Sequence, residues 1–565
     1  MLSGARTVEK QTLLDLVHSD LSLRRLSRQE RLLLGAICLC TLVLWAACQH
    51  GRVFVGDEIG TLRYLRKSPA YLLTHFSTWL TMNYFILAEK GIAWLCGAMD
   101  WRLTLLPLAG AIATIPLTAS LALKFTGSTR TALIAASLAA FNPFLVRWVP
   151  QIRAYSLLIA FSLLAINEFF LWYRQGTWWS GARCAVAVLL LLLAHLNGAY
   201  IVAFLILLLV AESISTGFCG ARRFLWESRT LWMPLAGVAI VVGVAYWRIL
   251  PDIMKVNREW GTATPPTSLG YVPQVFTTYM GARYAAFLSL LLLLAGSWSA
   301  AREKRALLLL CGAIILGPIL MSLQGVSVDA SSQARYLIFS LPLLLIVMAA
   351  GIDWLARHLR MRGGTPIAAW GLTALIVVCW APDIRAQFLA KEYMPYGRVA
   401  KFLRAQMQKN DIIVAGWSIG FTLSQFDYLK KRIMLPDEYI RKITNRFDAA
   451  PPGRVFYVTA PAVLNGRKVS IQCFGQLEVT AHSGDTARAL LQEWREDVLS
   501  RTAGRVYFSF EGDYQLLALL EERLPSGESA DHWRSLAERC RVENPATRGF
   551  PQRHLEKRAQ SVKFP

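Results

Sequence analysis

A succession of apolar segments constrains this chain more than any other feature. The first, residues 31–47 (RLLLGAICLCTLVLWAA), is long enough to span a membrane as a helix, and ten further apolar segments follow it. Only 17% of the 565 residues are charged and 55% are hydrophobic, too apolar for a soluble protein of this length. We therefore predict a polytopic α-helical membrane protein with about 11 transmembrane helices. The ten later spans are predicted at residues 103–123, 131–146, 154–172, 184–194, 199–211, 231–250, 285–299, 306–323, 336–355 and 367–380.

The formal net charge of +23 has its explanation in the links between these segments. In a soluble chain such a charge would suggest nucleic acid. Here Lys and Arg collect in alternate links, as the positive-inside rule requires, and nucleic acid is not predicted as a partner. Attraction to anionic membrane lipids or to a phosphorylated substrate is a second contribution. The links predicted to be cytoplasmic are residues 1–30, 124–130, 174–183, 222–229, 302–305 and 357–362, and the opposite loops are 51–101, 147–153, 251–283 and 324–335.

Residues 184–212 decide how many times the chain crosses. They form a 29-residue apolar stretch that would measure about 43 Å as one helix, with His195-Leu196-Asn197-Gly198 at its centre. Basic clusters flank both ends, so both ends are predicted to be cytoplasmic. Two short spans joined by a turn at Asn197-Gly198 satisfy this requirement, and they place the C-terminus outside.

Three regions follow from this pattern. Residues 1–30 are predicted to be a cytoplasmic segment before an uncleaved first span, and residues 31–384 to be the membrane domain. Its first outer loop, 51–101, is too long for a simple connection. Two stretches within it, 64–80 and 83–99, have mixed polar and apolar faces and are predicted to be helices lying along the interface.

The composition changes from about Arg385, and residues 385–565 are predicted to form a soluble extracytoplasmic α/β domain. Helical and strand-like stretches alternate there. Helices are predicted at residues 396–409, 424–432 and 485–501, and strands at 411–415, 454–459 and 505–510. Eight of the ten cysteines lie in or near apolar spans. Cys473 and Cys540 lie in this domain as candidates for a disulfide, with the reduced state left open.

Two adjacent acids, Asp57 and Glu58, stand a few residues beyond the first span. An acidic dipeptide is a weak signal on its own, because Asp also caps helices by accepting hydrogen bonds from the first N–H groups. Its position at the lipid–water boundary gives it weight. A carboxylate there is placed to act as a base on a lipid-linked substrate.

Arginine stands at the mouth of a span in two later outer loops, against the usual charge bias. Arg153 precedes Tyr155 after an Asn142-Pro143 pair, and Arg335 precedes Tyr336. Snorkelling at the interface is one interpretation. Phosphate binding is the other, because a guanidinium group grips phosphate oxygens in a bidentate fork. A charge at membrane depth is costly and predicts a function by default.

These loops, with the number and arrangement of spans, resemble the GT-C glycosyltransferases. The resemblance is to bacterial relatives of the protein O-mannosyltransferases and of the lipid A aminoarabinose transferase, and it covers about residues 31–380. The residues that carry it are Asp57-Glu58, Arg153-x-Tyr155 after the Asn142-Pro143 span, and Ala334-Arg335-Tyr336-Leu337 followed by Pro342.

The resemblance implies a sugar donor on a polyprenyl phosphate, presented from the outer leaflet, and Asp57 as the catalytic base. It implies phosphate binding by Arg153 and Arg335, with the adjoining tyrosines in the substrate site, while Glu58 orients Asp57 or binds a sugar hydroxyl. The chemistry agrees, because a lipid phosphate is a good leaving group and needs no general acid. One carboxylate removes the acceptor's proton while the arginines stabilise the departing phosphate. No metal or other cofactor is expected.

The sequence thus predicts a polyprenyl-phosphate-sugar-dependent glycosyltransferase, hexosyl or pentosyl, of a bacterial inner membrane. Its acceptor would be a cell-envelope glycan, a lipid or a protein on the periplasmic side. A transporter or flippase of lipid-linked sugars is the alternative, for which carboxylates or broken helices near the bilayer midplane are expected. A scaffold whose membrane part has lost activity is a third possibility.

Overall fold

The computed structural model divides the chain into two compact units, one of Met1–His50 with Gly60–Gln387 and the other of Gly51–Ile59 with Phe388–Pro565. It describes residues 17–18, 21–49, 54, 57–76, 82–96, 101–215, 228–255, 272–281, 283–303, 306–323, 334–359, 364–393, 396–408, 412–415, 420, 423, 427–434, 455–459, 470–474 and 477–482.

The first unit is helical throughout its described part, apart from short turns. In chain order its helices, with α2 and α16 running across the unit boundary, are α1 (Arg28–Gln49), α2 (Asp57–Leu65), α3 (Pro69–Thr74), α4 (Asn83–Cys96), α5 (Leu105–Thr126), α6 (Thr129–Phe141), α7 (Pro143–Trp148), α8 (Tyr155–Gln175), α9 (Trp178–Ala194), α10 (Ala199–Ser215), α11 (Arg229–Trp247), α12 (Val272–Met280), α13 (Arg283–Arg302), α14 (Leu307–Leu323), α15 (Leu341–His358) and α16 (Gly364–Tyr393). Four 3-10 turns accompany them at Leu23–Arg25, Trp101–Thr104, Leu196–Gly198 and Ile338–Ser340.

Within the part of the chain that the structure describes, seven helices are long and apolar enough to cross a bilayer, which confirms a polytopic helical membrane protein. They are Arg28–Cys48, Arg102–Thr126, Tyr155–Gln175, Arg229–Trp247, Tyr284–Arg302, Ile338–His358 and Pro366–Phe388. The other four predicted spans coincide with shorter apolar helices, at Thr129–Phe141, Trp178–Ala194, Leu196–Glu212 and Leu307–Ile319. The figure of about 11 crossings therefore stays a prediction.

Helices α8 and α15 form the centre of this unit, since about four fifths of each span is buried. Helix α15 also lies unusually close to α13. A Cβ added to Gly351 would collide with the carbonyl oxygen of Leu292, and one added to Gly296 would collide with that of Val347. Membrane helices pack this way through small residues, because only glycine lets two backbones touch.

Ion pairs join several helices at one end of the bundle. Arg130 at the start of α6 contacts Asp353 near the end of α15, with 2.6 Å between Nε and Oδ1. Arg357 lies 2.8 Å from Glu303 and 3.6 Å from the second oxygen of Asp353. These contacts bring together three of the links predicted to be cytoplasmic. The side of the membrane on which they lie stays a prediction.

We expect Asp353→Ala to destabilise the protein by about 3–5 kcal/mol, because it leaves the Arg130 guanidinium beside a buried position without its carboxylate. Glu168→Gln is the control, since its partner Arg183 is more than half exposed and a pair of that kind contributes about 0–1 kcal/mol. Thermal unfolding of both variants in detergent measures the difference. Equal melting temperatures for the two variants would contradict this assignment.

The predicted break in residues 184–212 is confirmed. Helix α9 ends at Ala194, α10 begins at Ala199, and a 3-10 turn over Leu196–Gly198 joins them. The turn folds back tightly on α9, because a Cβ at Gly198 would collide with the side chain of Leu191.

The prediction of one helix in the first outer loop is wrong. Instead of a single helix over residues 64–80, α2 ends at Leu65 and a separate α3 covers Pro69–Thr74. The cause is Ser68-Pro69, because proline cannot continue a helix and fits its first position, while the Ser68 hydroxyl accepts a hydrogen bond from Tyr71 N at 3.1 Å. The second predicted helix, 83–99, is present as α4 and ends at Cys96.

The second unit contains α17 (Tyr396–Gln406), α18 (Asp427–Lys430) and a five-stranded sheet. The strands are β1 (Ile412–Ala415), β2 (Ile433–Met434), β3 (Val455–Thr459), β4 (Ser470–Phe474) and β5 (Leu477–His482), in the order β2-β1-β3-β5-β4. Strand β1 is parallel to β2 and β3, whereas β5 is antiparallel to β3 and β4.

Two predicted strands of this unit, 411–415 and 454–459, appear as β1 and β3, and two predicted helices, 396–409 and 424–432, appear shortened as α17 and α18. Strands β2, β4 and β5 were not predicted. The predicted helix 485–501, the strand 505–510 and Cys540 lie outside the described residues, so the pairing of Cys473 with Cys540 stays a prediction. The domain boundaries at residues 30 and 384 stay predictions as well.

Candidate functional site

The turn after α6 places the first of the two outer arginines. Asn142 caps α7, since its Oδ1 accepts hydrogen bonds from the N–H groups of Phe144 at 3.0 Å and Leu145 at 3.1 Å. Its Nδ2 donates to the carbonyl oxygen of Tyr279 at 3.0 Å, which fixes α7 against the end of α12. The six-residue α7 then ends at Trp148, five residues before Arg153.

Arg153 and Tyr155 are buried at the start of α8, with 8% and 1% of their surfaces exposed. The guanidinium carbon of Arg153 lies 5.9 Å from the centre of the Tyr155 ring. Between them, Ala154 N donates to the sulfur of Met82 at 3.4 Å. The start of α8 is thereby held against the residue that precedes α4, and the arginine is fixed in position by its backbone as well as its side chain.

Arg335 reaches the same cluster from the other outer loop. Its guanidinium carbon lies 4.8 Å from the centre of the Trp148 ring and 5.9 Å from that of Tyr336. Trp148 in turn meets Tyr155 edge to face, with 6.0 Å between ring centres. The two predicted arginines therefore converge on one aromatic pair. Cation–π contact with that pair helps to hold each guanidinium in place.

The break between α9 and α10 belongs to this cluster, although the sequence did not predict it as part of the site. Asn197 Nδ2 donates to the carbonyl oxygen of Tyr336 at 3.1 Å, and the His195 ring lies 6.1 Å from that of Tyr155. Burial, with the nearby Arg153 charge, lowers the pKa of His195 to about 3. The imidazole is therefore neutral. A lone histidine in a long apolar stretch was the available signal.

The cluster brings two guanidinium groups together with a neutral histidine. Such a site suits an anion, and two forked guanidinium groups suit a phosphate in particular. Among the described residues, no group of three or more His, Cys, Asp or Glu side chains is placed to hold a metal ion. The arginines are the charges available in this cluster to stabilise an anionic leaving group.

Asp57 and Glu58 are the first two residues of α2, and Glu58 is buried with 1% of its surface exposed. Both residues belong to the second unit. The arginine cluster, which we define as Arg153 and Arg335 with Trp148, Tyr155, Tyr336 and His195, lies in the first. The structure thus brings Arg153, Tyr155, Arg335 and Tyr336 together, as predicted of one site. The part of Asp57 and Glu58 in that site stays a prediction.

An apolar groove of about 380 Å³ lies beside the start of α4. Tyr84 closes one wall, since its hydroxyl donates to the carbonyl oxygen of Ala245 at 2.7 Å. The neighbouring Tyr246 donates to the carbonyl oxygen of Leu192 at 3.1 Å, just before the His195 turn. The residues that line the groove are Leu73, Thr74, Tyr84, Val244, Ala245, Trp247 and Arg248. Two helices that line the groove, α4 and α11, thus lie close in the chain or in space to residues that neighbour the arginine cluster.

Helix α4 also carries a buried acid that the sequence analysis passed over. Glu89 has no exposed surface, and neither carboxylate oxygen has a hydrogen-bond partner among the described residues. Burial raises its pKa to about 8. The group is mostly protonated at neutral pH, so it adds little negative charge to the buried face of α4.

Comparison with known proteins places the fold. No protein-family model matches the sequence, and no curated protein matches it. Two solved structures share its fold: ArnT from Cupriavidus metallidurans bound to undecaprenyl phosphate, with a TM-score of 0.55 at 12% identity over 81% of this chain and 98% of that one, and ArnT from the same organism in the apo state, with a TM-score of 0.51 at 13% identity over 80% and 98%. The chain therefore has the fold of these two ArnT structures, which confirms the fold that the resemblance predicted.

Proposed function

We propose that this protein is a membrane glycosyltransferase that transfers a sugar from a polyprenyl-phosphate donor to an extracytoplasmic acceptor. The observation that carries the proposal is the convergence of Arg153 and Arg335 on the Trp148–Tyr155 pair. It is supported by the GT-C fold, shared with an ArnT structure that binds undecaprenyl phosphate. The acceptor would be a cell-envelope glycan, a lipid or a protein, and the site would face the periplasm of an inner membrane.

The arginine cluster supports recognition of the phosphate. Arg153 is buried and Arg335 is partly buried, and both are held by aromatic rings, so they act at a lower dielectric than in water, which strengthens their attraction for an anion. Because they are already in place, they need no rearrangement when negative charge accumulates on the departing phosphate. Arg153 and Arg335 are assigned to this role, and Tyr155 and Tyr336 keep them in position.

The apolar groove supports recognition of the lipid chain. It begins at Tyr84, two residues after Met82, which touches the backbone beside Arg153. A molecule with its phosphate at the arginines can therefore run its first isoprene units along α4 into the groove. Trp247 on the outer wall is largely exposed, as expected of a side chain that faces lipid.

Asp57 is assigned as the general base. It would take the proton of the acceptor hydroxyl as that oxygen attacks the anomeric carbon, while the bond to the phosphate oxygen breaks on the opposite face. A single displacement of this kind inverts the anomeric centre. The polyprenyl phosphate leaves as an anion, so no residue has to protonate it, and Glu58 serves to orient Asp57 or to bind a sugar hydroxyl.

We expect undecaprenyl phosphate to bind the purified protein more tightly than either undecaprenol or inorganic phosphate. Each of these probes keeps one half of the recognised structure, the chain for the groove or the anion for the arginines. Binding to the protein in nanodiscs, with mass spectrometry of lipids that copurify, gives the comparison. Equal affinity for undecaprenol and undecaprenyl phosphate would mean that the site does not recognise the phosphate, which contradicts the proposed donor.

The same preparation separates a transferase from a transporter. A glycosyltransferase supplied with a polyprenyl-phosphate sugar and an acceptor releases free polyprenyl phosphate. A flippase leaves the donor chemically intact and changes only the leaflet in which it lies. Release that depends on the protein and on added acceptor is the result expected here.

A further inference from the structure

The turn between α9 and α10 is built into the arginine cluster more firmly than a simple connection requires. The His195 ring, with 5% of its surface exposed, lies against Tyr155, and Asn197 holds the backbone of Tyr336. The turn therefore contacts the residue beside Arg335 as well as the ring that supports Arg153. It is therefore a third segment of the chain that contributes to the cluster, separate from the two loops that carry Arg153 and Arg335.

The geometry of the turn fixes which nitrogen of His195 carries the proton. Nδ1 lies 3.1 Å from the backbone N of Asn197, and a backbone N–H can only donate. Nδ1 must therefore be the acceptor, and in a neutral ring the proton then resides on Nε2. Within the described residues, Nε2 makes no hydrogen bond. A donor that has no partner on a ring with only 5% of its surface exposed indicates a ligand that completes it.

The surroundings indicate what that ligand is. The Arg153 guanidinium and the His195 imidazole lie about equally far from the Tyr155 ring, at 5.9 and 6.1 Å. The imidazole offers an N–H donor and the guanidinium a positive charge, so an anion with several oxygens suits the two groups together. A neutral imidazole beside an arginine avoids the repulsion that a second cation would cause, and it still donates a hydrogen bond.

We infer that His195 is a phosphate-binding residue, whose Nε2–H donates to an oxygen of the polyprenyl phosphate alongside Arg153. This inference rests on the proposed function and adds a residue to its donor site. The Asn197 N–H holds the ring through Nδ1, and the Tyr155 ring limits its rotation. The Nε2–H group is thus oriented before the lipid phosphate binds, which reduces the entropy lost on binding.

His195→Asn tests this role because it keeps the acceptor function of Nδ1 and removes the donor function of Nε2. The Asn carboxamide oxygen can accept from the N–H two residues later, as Nδ1 does, so the turn is kept, while nothing replaces the Nε2–H. We expect undecaprenyl phosphate to bind this variant in nanodiscs about 10- to 100-fold more weakly, as for other hydrogen bonds to charged groups. His195→Gln, which carries an N–H nearer the position of Nε2, should recover part of the loss.

His358→Asn is the matched control, because the same substitution falls on an exposed histidine at the end of α15 near the Arg357–Glu303 pair. It should bind as the wild type does. The ratio of wild-type to His195→Asn affinity should also stay constant between pH 6 and pH 8, since the ring is neutral throughout. A ratio that rises below pH 6.5 would mean that a cationic imidazole binds, which contradicts the inference.

The outcomes distinguish this inference from the proposed function. If the wild type binds undecaprenyl phosphate and His195→Asn binds it equally well, His195 is a structural cap and the inference is overturned while the donor site stands. If the wild type shows no preference for the phosphate, both fail. If His195→Asn does not fold, the test rests on His195→Gln. Near-absent binding of undecaprenyl phosphate by a folded Gln variant, which still carries an N–H, would overturn the inference that the Nε2–H of His195 binds the phosphate.

Discussion

Asp57→Asn is expected to fold, insert into the membrane and bind the lipid donor, yet to transfer sugar about 10²–10⁴-fold more slowly than the wild type. The substitution keeps the shape and one acceptor oxygen of the side chain, but an amide cannot take a proton from the acceptor hydroxyl. Removing a general base raises the barrier by about 3–5 kcal/mol on this scale. Sugar transfer measured at matched protein levels, with donor binding measured in parallel, checks both halves of the expectation.

Two comparisons make the result specific to Asp57. Glu58→Gln should be milder, because a residue that orients the base or binds a sugar hydroxyl depends less on its ability to carry a proton. The competing interpretation is a helix cap, since Asp57 is the first residue of α2. Asparagine caps a helix about as well as aspartate. Near-normal sugar transfer by Asp57→Asn would therefore support the helix-cap interpretation and contradict the assignment of Asp57 as the general base.

Arg153→Ala has the second largest expected effect. It removes a forked, charged donor from a buried site, and each hydrogen bond to a charged group contributes about 1.5–3 kcal/mol, so donor affinity should fall at least about 100-fold. Arg153→Lys should recover only part of it, because an ammonium group keeps the charge and lacks the planar fork. Binding of undecaprenyl phosphate to each variant measures the loss directly.

Arg302→Ala controls for the loss of an arginine that stacks on an aromatic ring. Its guanidinium carbon lies 4.8 Å from the centre of the Trp298 ring, the same distance that separates Arg335 from Trp148, but at the other end of the bundle. Donor binding should survive in this variant. Full binding by Arg153→Ala would assign that residue to snorkelling at the membrane interface and take it out of the site.

The hydrophobic pattern predicts the membrane part of this protein well, because the bilayer sets both the length and the composition of a span. It also predicts the break at residues 195–198, where a polar tetrapeptide interrupts an apolar run. It fails where short-range chemistry decides. Ser68-Pro69 ends one helix and caps the next, although the amphipathic pattern continues through it. The β4–β5 hairpin was missed because its two-residue connection, Gly475-Gln476, is a weak turn signal.

The candidate site was predictable only in part, for a different reason. Arg153 and Arg335 are visible in the sequence because each breaks the charge bias at the mouth of a span. Trp148 and His195 break no rule, since aromatic residues are common at the interface and one histidine can be satisfied in a core. Their role depends on packing between α7, α8 and the α9–α10 turn. No local pattern encodes that packing, because His195 lies 40 residues from Tyr155 and Trp148 lies 187 residues from Arg335 in the chain.

The brevity of four apolar helices has a consequence for the surrounding lipid. Helices α9, α10 and α14 have 17 residues each and α6 has 13, so they reach about 25 Å and 20 Å, less than the roughly 30 Å of a typical hydrocarbon core. If the short helices cross the membrane, a bilayer accommodates those that face lipid by thinning or by the snorkelling of flanking side chains. Thinning beside α9 and α10 would bring lipid headgroups closer to the His195 turn and to the arginines. The host bilayer's acyl-chain length then becomes a determinant of how easily a long-chain lipid phosphate reaches its site.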